Sequence, residues 1–106
     1  MKKVGSVALL QQEINKSEKT VVIFSGSGCS DCLYLDMFID QVEEKFANQY
    51  NFVKCMREEG DLMNYYFENM ILGIPSLIIY QNGKEEKRFV SKLRKTQAEI
   101  EEFLGE

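Results

Sequence analysis

Two cysteines three residues apart, Cys29-Ser30-Asp31-Cys32, follow the apolar run Val21-Val22-Ile23-Phe24 and directly precede a stretch with helical periodicity. A strand, a short loop, a C-x-x-C and a helix put the first thiol at a helix N-terminus. There the unpaired backbone N–H groups and the positive end of the macrodipole favour thiolate over thiol. Thiolate is the species that attacks disulfides. The second cysteine, one turn along, can close a disulfide with the first. A C-x-x-C alone also describes half of many zinc sites; in a βαβ setting it points to thiol–disulfide chemistry.

The rest of the pattern supplies that setting. Val7, Leu10 and Ile14 have the spacing of a short first helix. Thr20 to Ser25 reads as a strand apolar on both faces, as in the centre of a parallel sheet. Ser25-Gly26-Ser27-Gly28 is a small, flexible loop. Leu35, Phe38, Ile39, Val42 and Phe46 describe one long helix from Cys32 to near Asn48, and Asn51 to Met56 a second strand. Gly60-Asp61 starts a helix with Leu62, Met63, Tyr66, Phe67 and Met70 on its apolar side. Leu77 to Tyr80 and Glu86 to Val90 form a hairpin about Asn82-Gly83, residues that tolerate positive φ. Thr96 and Glu99 make a capping box for a last helix carrying Ile100, Phe103 and Leu104. The order αβαβαββα implies an α/β fold with a central mixed sheet flanked by helices.

The 106 residues fit one domain, residues 1–106, and 44% hydrophobic residues are enough for one core. A formal net charge of −4 argues against a nucleic-acid partner. The densest basic group, Lys84, Lys87, Arg88, Lys92, Arg94 and Lys95, reads as a solvated rim. The apolar stretch after Lys2-Lys3 is too short for a signal peptide and stops at Gln11-Gln12-Glu13. No run approaches a membrane span, which needs roughly 18 apolar residues. Three cysteines, an odd number, fit a redox role in the cytoplasm better than a secreted disulfide framework. With no histidine and Cys55 as the one other cysteine, a four-ligand zinc site is poorly supplied, and an iron–sulfur cluster would have to be shared between two chains.

With C-x-x-C after a strand, Gly73-Ile74-Pro75 further on, and the hairpin Tyr80-Gln81-Asn82-Gly83-Lys84, the chain resembles the thioredoxin family from its first helix to its last. The resemblance implies Cys29 as attacking thiol and Cys32 as resolving thiol. It implies a cis bond between Ile74 and Pro75, packed beside the disulfide, with the backbone of Ile74 pairing an extended substrate peptide. A glycine of the usual docking surface aligns near Ser91. The departures are specific. The family usually has Trp-Cys-Gly-Pro-Cys, whereas this chain has Gly28-Cys29-Ser30-Asp31-Cys32 and no tryptophan. The family's buried acid, six residues before the first cysteine, falls on Ile23, and its helix proline on Met37. In these respects the chain is similar to divergent bacterial thioredoxin-like proteins with a C-x-D-C motif.

The expected activity is thiol–disulfide oxidoreduction through Cys29 and Cys32, on a protein or small-molecule disulfide. A flavoprotein reductase or a small thiol would be the electron donor, and no bound cofactor is required. The alternative is a protein-binding module that presents Ile74 and the hairpin, with an incidental dithiol. Asp31 suits the helix dipole and also sets a negative charge near the Cys29 sulfur, with no lysine close in sequence to screen it. Lys54 aligns with a family lysine that approaches the active site; a surface role is its other reading. Cys55 reads as structural. Tyr65-Tyr66-Phe67 reads as core packing of the third helix, with one tyrosine facing out.

Overall fold

The computed structural model describes residues 1–105. Its elements in chain order are β1 (Lys2–Val4), α1 (Val7–Lys16), β2 (Lys19–Ser25), α2 (Ser30–Asp36), α3 (Ile39–Phe46), β3 (Asn51–Met56), α4 (Leu62–Glu68), β4 (Ser76–Gln81), β5 (Lys84–Phe89) and α5 (Gln97–Gly105). The five strands form one mixed sheet in the order β1-β3-β2-β4-β5. β1, β3 and β2 run parallel, while β4 is antiparallel to both β2 and β5.

The central strand explains the two-layer cover. Val22 and Phe24 pack with Val53, Ile78 and Tyr80 against Leu10 and Ile14 of α1 and Leu62 and Tyr66 of α4. Val21 and Ile23 pack with Phe52, Leu77 and Ile79 against Leu35, Ile39 and Val42 of α2 and α3 and Ile100 and Leu104 of α5. A strand covered on both faces has no polar side, hence the unbroken apolar run. The hairpin turns through Asn82 at φ 52° and Gly83 at φ 85°, the left-handed pair expected of a tight two-residue connection. The capping box also forms: the Glu99 N–H donates to Thr96 Oγ1 at 3.2 Å and the Thr96 N–H to Glu99 Oε1 at 3.0 Å.

The structure corrects the sequence reading at several places. β1 carries no strand signal in the sequence, because two of its three residues are lysines and only Val4 is buried. Lysines are a usual protection for a short edge strand. The single long helix is two, α2 and α3, broken at Met37 and Phe38. There the N–H groups of both residues reach back only three residues, to the Tyr34 and Leu35 carbonyls at 3.2 Å each. The break occurs without a proline, and apolar periodicity runs straight across it because Leu35 and Ile39 share one core. Asp61 precedes α4, but its carboxylate accepts from the Val7 N–H at 2.9 Å, so it serves the start of α1. In the aromatic cluster the residue facing out is Phe67, not a tyrosine; Tyr66 is buried and Tyr65 half-buried. The hairpin strands also begin earlier than read, at Ser76 and Lys84.

Candidate active site

The loop from β2 to α2 is shaped by two contacts and one unusual dihedral. Gly28 has φ +65° with nothing within 4 Å of a would-be side chain, so the requirement for glycine there is conformational. Gly26 is different: a Cβ on it would stand 2.6 Å from Ile74 Cδ1. Its lack of a side chain lets Ile74 close over the loop. The Ser27 N–H is held by Glu58 Oε1 at 2.8 Å, and this donated bond keeps the Glu58 carboxyl below the usual carboxylate range. No sequence signal pointed to Glu58.

This loop delivers Cys29 to the N-cap of α2. Its sulfur accepts from the Cys32 N–H at 3.1 Å, and its carbonyl accepts from the Leu33 N–H at 3.1 Å. Cys29 and Cys32 form a disulfide with their Cα atoms 5.2 Å apart. Cys29 is half-buried, whereas Cys32 is 2% exposed. The Ile74–Pro75 peptide is cis, and the Ile74 carbonyl oxygen lies 3.7 Å from Cys29 Sγ. Two segments distant in sequence thus meet at one sulfur, with Pro75 buried and Ile74 half-buried.

Asp31 is not an unscreened charge. Arg94 Nε donates to its carboxylate at 2.8 Å, and the guanidinium lies 4.4 Å from the centre of the Tyr34 ring. The partner comes from 63 residues away, out of reach of any reading of local neighbours. The pair makes two opposed predictions. Asp31→Asn removes a negative charge and leaves Arg94 uncompensated, so the Cys29 thiolate should form at lower pH. Arg94→Met should move it higher. At ~7 Å and an effective dielectric between ~20 and ~80, the loss of the Asp31 charge is worth roughly 0.6–2.4 kcal/mol. The exposure of Arg94 means that salt should shrink both effects. Thiolate absorbance against pH reads them; an Asp31→Asn profile equal to wild type at low salt would reduce Asp31 to a helix-terminus residue.

Lys54 stands opposite Ile23 in the β2–β3 register, with its ammonium 2.8 Å from Asp36 in the last turn of α2. Ile23 itself is fully buried. Ser91 is exposed on the segment between β5 and α5; the side chains of that segment that reach the Gly73–Pro75 edge belong to Leu93 and Lys95. Lys95 overturns the reading of the basic group as a solvated rim, because it is 0% exposed. Cys55 is a buried free thiol 3.4 Å from the Tyr66 hydroxyl, and burial pushes it up to about 11. Among the described residues, no three Cys, Asp or Glu side chains converge in a way that could hold a metal ion.

The thioredoxin family model matches residues 3–106. The chain belongs to the thioredoxin family. It is 29% identical over 94 residues to the protein named "Putative thioredoxin-4" in Dictyostelium discoideum, covering 86% of each chain. It is 33% identical over 82 residues to the chloroplastic thioredoxin Y of rice, covering 76% of this chain but only 47% of that longer protein. The solved structure of Plasmodium falciparum thioredoxin superposes with a TM-score of 0.87 at 19% identity, covering 99% of this chain and 97% of the other, and supports the shared fold. A family member carrying this dithiol is a thiol–disulfide oxidoreductase. Thioredoxin membership implies disulfide substrates and a reductase or thiol that returns the electrons. No helix among the described residues is long and apolar enough to cross a membrane.

Proposed function

We propose that this thioredoxin-family protein reduces disulfides with Cys29 as attacking and Cys32 as resolving thiol, within one domain spanning residues 1–106. The observation that carries the assignment is the position of Cys29 Sγ: at the N-cap of α2, under the Cys32 N–H, and 3.7 Å from the Ile74 carbonyl. The Cys29 thiolate attacks one sulfur of the substrate disulfide, and the other leaves as a thiolate. Cys32 loses its proton and attacks Cys29 Sγ. The second substrate sulfur leaves, and both electrons have passed to substrate. A flavoprotein reductase or a low-molecular-weight thiol then reduces the Cys29–Cys32 disulfide. No bound cofactor enters these steps.

The backbone of Ile74 beside Pro75, with Ser91 nearby in the chain to Leu93, forms the proposed edge for an extended substrate. Asp31 and Lys54 modulate the dithiol, the first through charge and the second through α2. Free, buried Cys55 and the odd cysteine count favour a reducing compartment such as the cytoplasm.

A second reading, a protein-binding module, draws on exposed Leu33, Leu72 and Leu93, which neighbour Cys32, Gly73 and the Lys95 segment in the chain. Equilibration of the wild type with graded mixtures of reduced and oxidised dithiothreitol, read by intact mass and thiol trapping, separates the two. A reversible loss of two hydrogens confined to Cys29 and Cys32 supports the oxidoreductase. A dithiol that does not equilibrate, or a Cys29–Cys55 pairing, overturns it and leaves the binding module.

A further inference from the structure

Lys95 sits in the segment between β5 and α5 with its side chain turned wholly inward. Its ammonium donates to the Pro75 carbonyl at 2.5 Å, to the Leu93 carbonyl at 3.3 Å, and to the Lys92 carbonyl. It also lies 5.0 Å from the centre of the Phe89 ring of β5. Every one of these partners is neutral.

The charged groups facing it have other engagements. Asp31, from α2, is paired with Arg94. Glu99, from α5, is held by Lys92 and by Thr96. Lys92, from the same segment, is a like charge. Among the described residues no carboxylate forms an ion pair with Lys95. A charge removed from water without a counter-ion is expensive and is not needed merely to tie a loop to a strand.

Its position suggests what the charge does. Pro75, whose carbonyl holds the ammonium, follows Ile74, whose carbonyl lies 3.7 Å from Cys29 Sγ. The cation is therefore seated on the carbonyl next in the chain to the one beside the sulfur that must become an anion. We propose that Lys95 is a positioning residue of the dithiol site: a buried ammonium, seated on neutral carbonyls at the Ile74–Pro75 edge, that supplies a fixed positive charge favouring the Cys29 thiolate. This deepens the reading of Cys29 as the attacking thiol and rests on it. Burial pulls the Lys95 ammonium down to about 8, so the charge is largely present at pH 7 and is lost as the pH rises through that range. The support it gives the thiolate fades over the same range.

The coupling is reciprocal: a thiolate that gains from the ammonium must stabilise the ammonium equally. The decisive measurement uses the wild type alone. NMR of the lysine side-chain carbons follows protonation of Lys95 in the oxidised and the reduced protein. At a separation of ~8 Å and an effective dielectric between ~20 and ~80, the proton affinity of Lys95 should rise roughly two- to thirty-fold once Cys29 is an anion. Lys95→Met should weaken thiolate formation by the same factor. Its disulfide should become more reducing by about 10–45 mV at a pH where Cys29 is ionised, at 29.6 mV per tenfold change. Lys95→Arg should keep the wild-type potential.

Equal Lys95 titrations in the two redox states would overturn the proposal. So would a folded Lys95→Met variant with the wild-type potential, which would leave Lys95 as a loop tether. If the methionine variant does not fold, the wild-type titration still decides. Absence of any dithiol equilibrium in the wild type would instead overturn the oxidoreductase reading.

Discussion

A Cys32→Ser variant should accumulate as a mixed disulfide through Cys29, and a Cys29→Ser variant should exchange disulfides no faster than solution thiols do. The difference follows from where the sulfurs sit. Cys29 is half-buried at the start of α2, beside the Ile74 edge, and can meet a substrate. Cys32 is 2% exposed and can reach only a sulfur already attached to Cys29. Replacing Cys32 by serine leaves the first attack intact and removes the second, because a hydroxyl does not displace a thiolate from a disulfide at neutral pH. Replacing Cys29 leaves Cys32, which is shielded, and Cys55, whose ionisation burial suppresses. Intact mass under non-reducing conditions and single-turnover reduction of a model disulfide read both outcomes. Wild-type turnover in Cys29→Ser would mean that the attacking sulfur is elsewhere.

Ile23→Asp should cost about 3–5 kcal/mol of stability while quickening the second step. Ile23 is fully buried in the central strand, among Leu35, Ile39 and Leu77, at the position where the family resemblance expects an acid. The substitution loses apolar packing and adds a carboxyl. The nearest cation by register, Lys54, is already held by Asp36. Burial must therefore raise the pKa of the new carboxyl above its unfolded value. Between the two values the native state keeps a proton that the unfolded state has lost, so stability falls as pH rises through that window. Denaturant titrations from acid to neutral pH should show this slope in the variant, beyond any slope in the wild type. The same carboxylate would offer the Cys32 proton an acceptor on the α2 side of the sheet, and stopped-flow decay of the mixed disulfide would report a faster resolution. Equal stability at every pH would show that the core admits the charge without cost.

The parts of this fold that were legible in the sequence are those decided by neighbours in the chain. The unbroken run Val21–Phe24, the Asn82-Gly83 turn and the Thr96–Glu99 box each carry their physical reason within a few residues, and each formed. The Cys29–Cys32 pair was legible for the same reason. The differences fall where apolar periodicity carries no signal or where distant segments decide. The break at Met37 and Phe38 is invisible to periodicity because the apolar face continues through it. Asp61 serves a helix 54 residues away in sequence rather than its own. Arg94 and Lys95 stand side by side among basic residues, yet one crosses to Asp31 and the other turns inward to Pro75. Composition alone does not distinguish them, since long cationic side chains are usually solvated.

Cys55 gives the protein a third sulfur with a different fate. It faces α1 and α4, on the side of the sheet away from α2, and lies among Val53, Tyr66 and Leu62. With the dithiol reduced, an alkylating reagent at neutral pH would label half-buried Cys29 while the fold stands and leave the shielded Cys32 and Cys55 unlabelled. Label reaching Cys55 would then record the moments at which the sheet parts from α4. The chain carries its own gauge of opening at that face, readable by mapping which cysteine bears the label and requiring no engineered thiol.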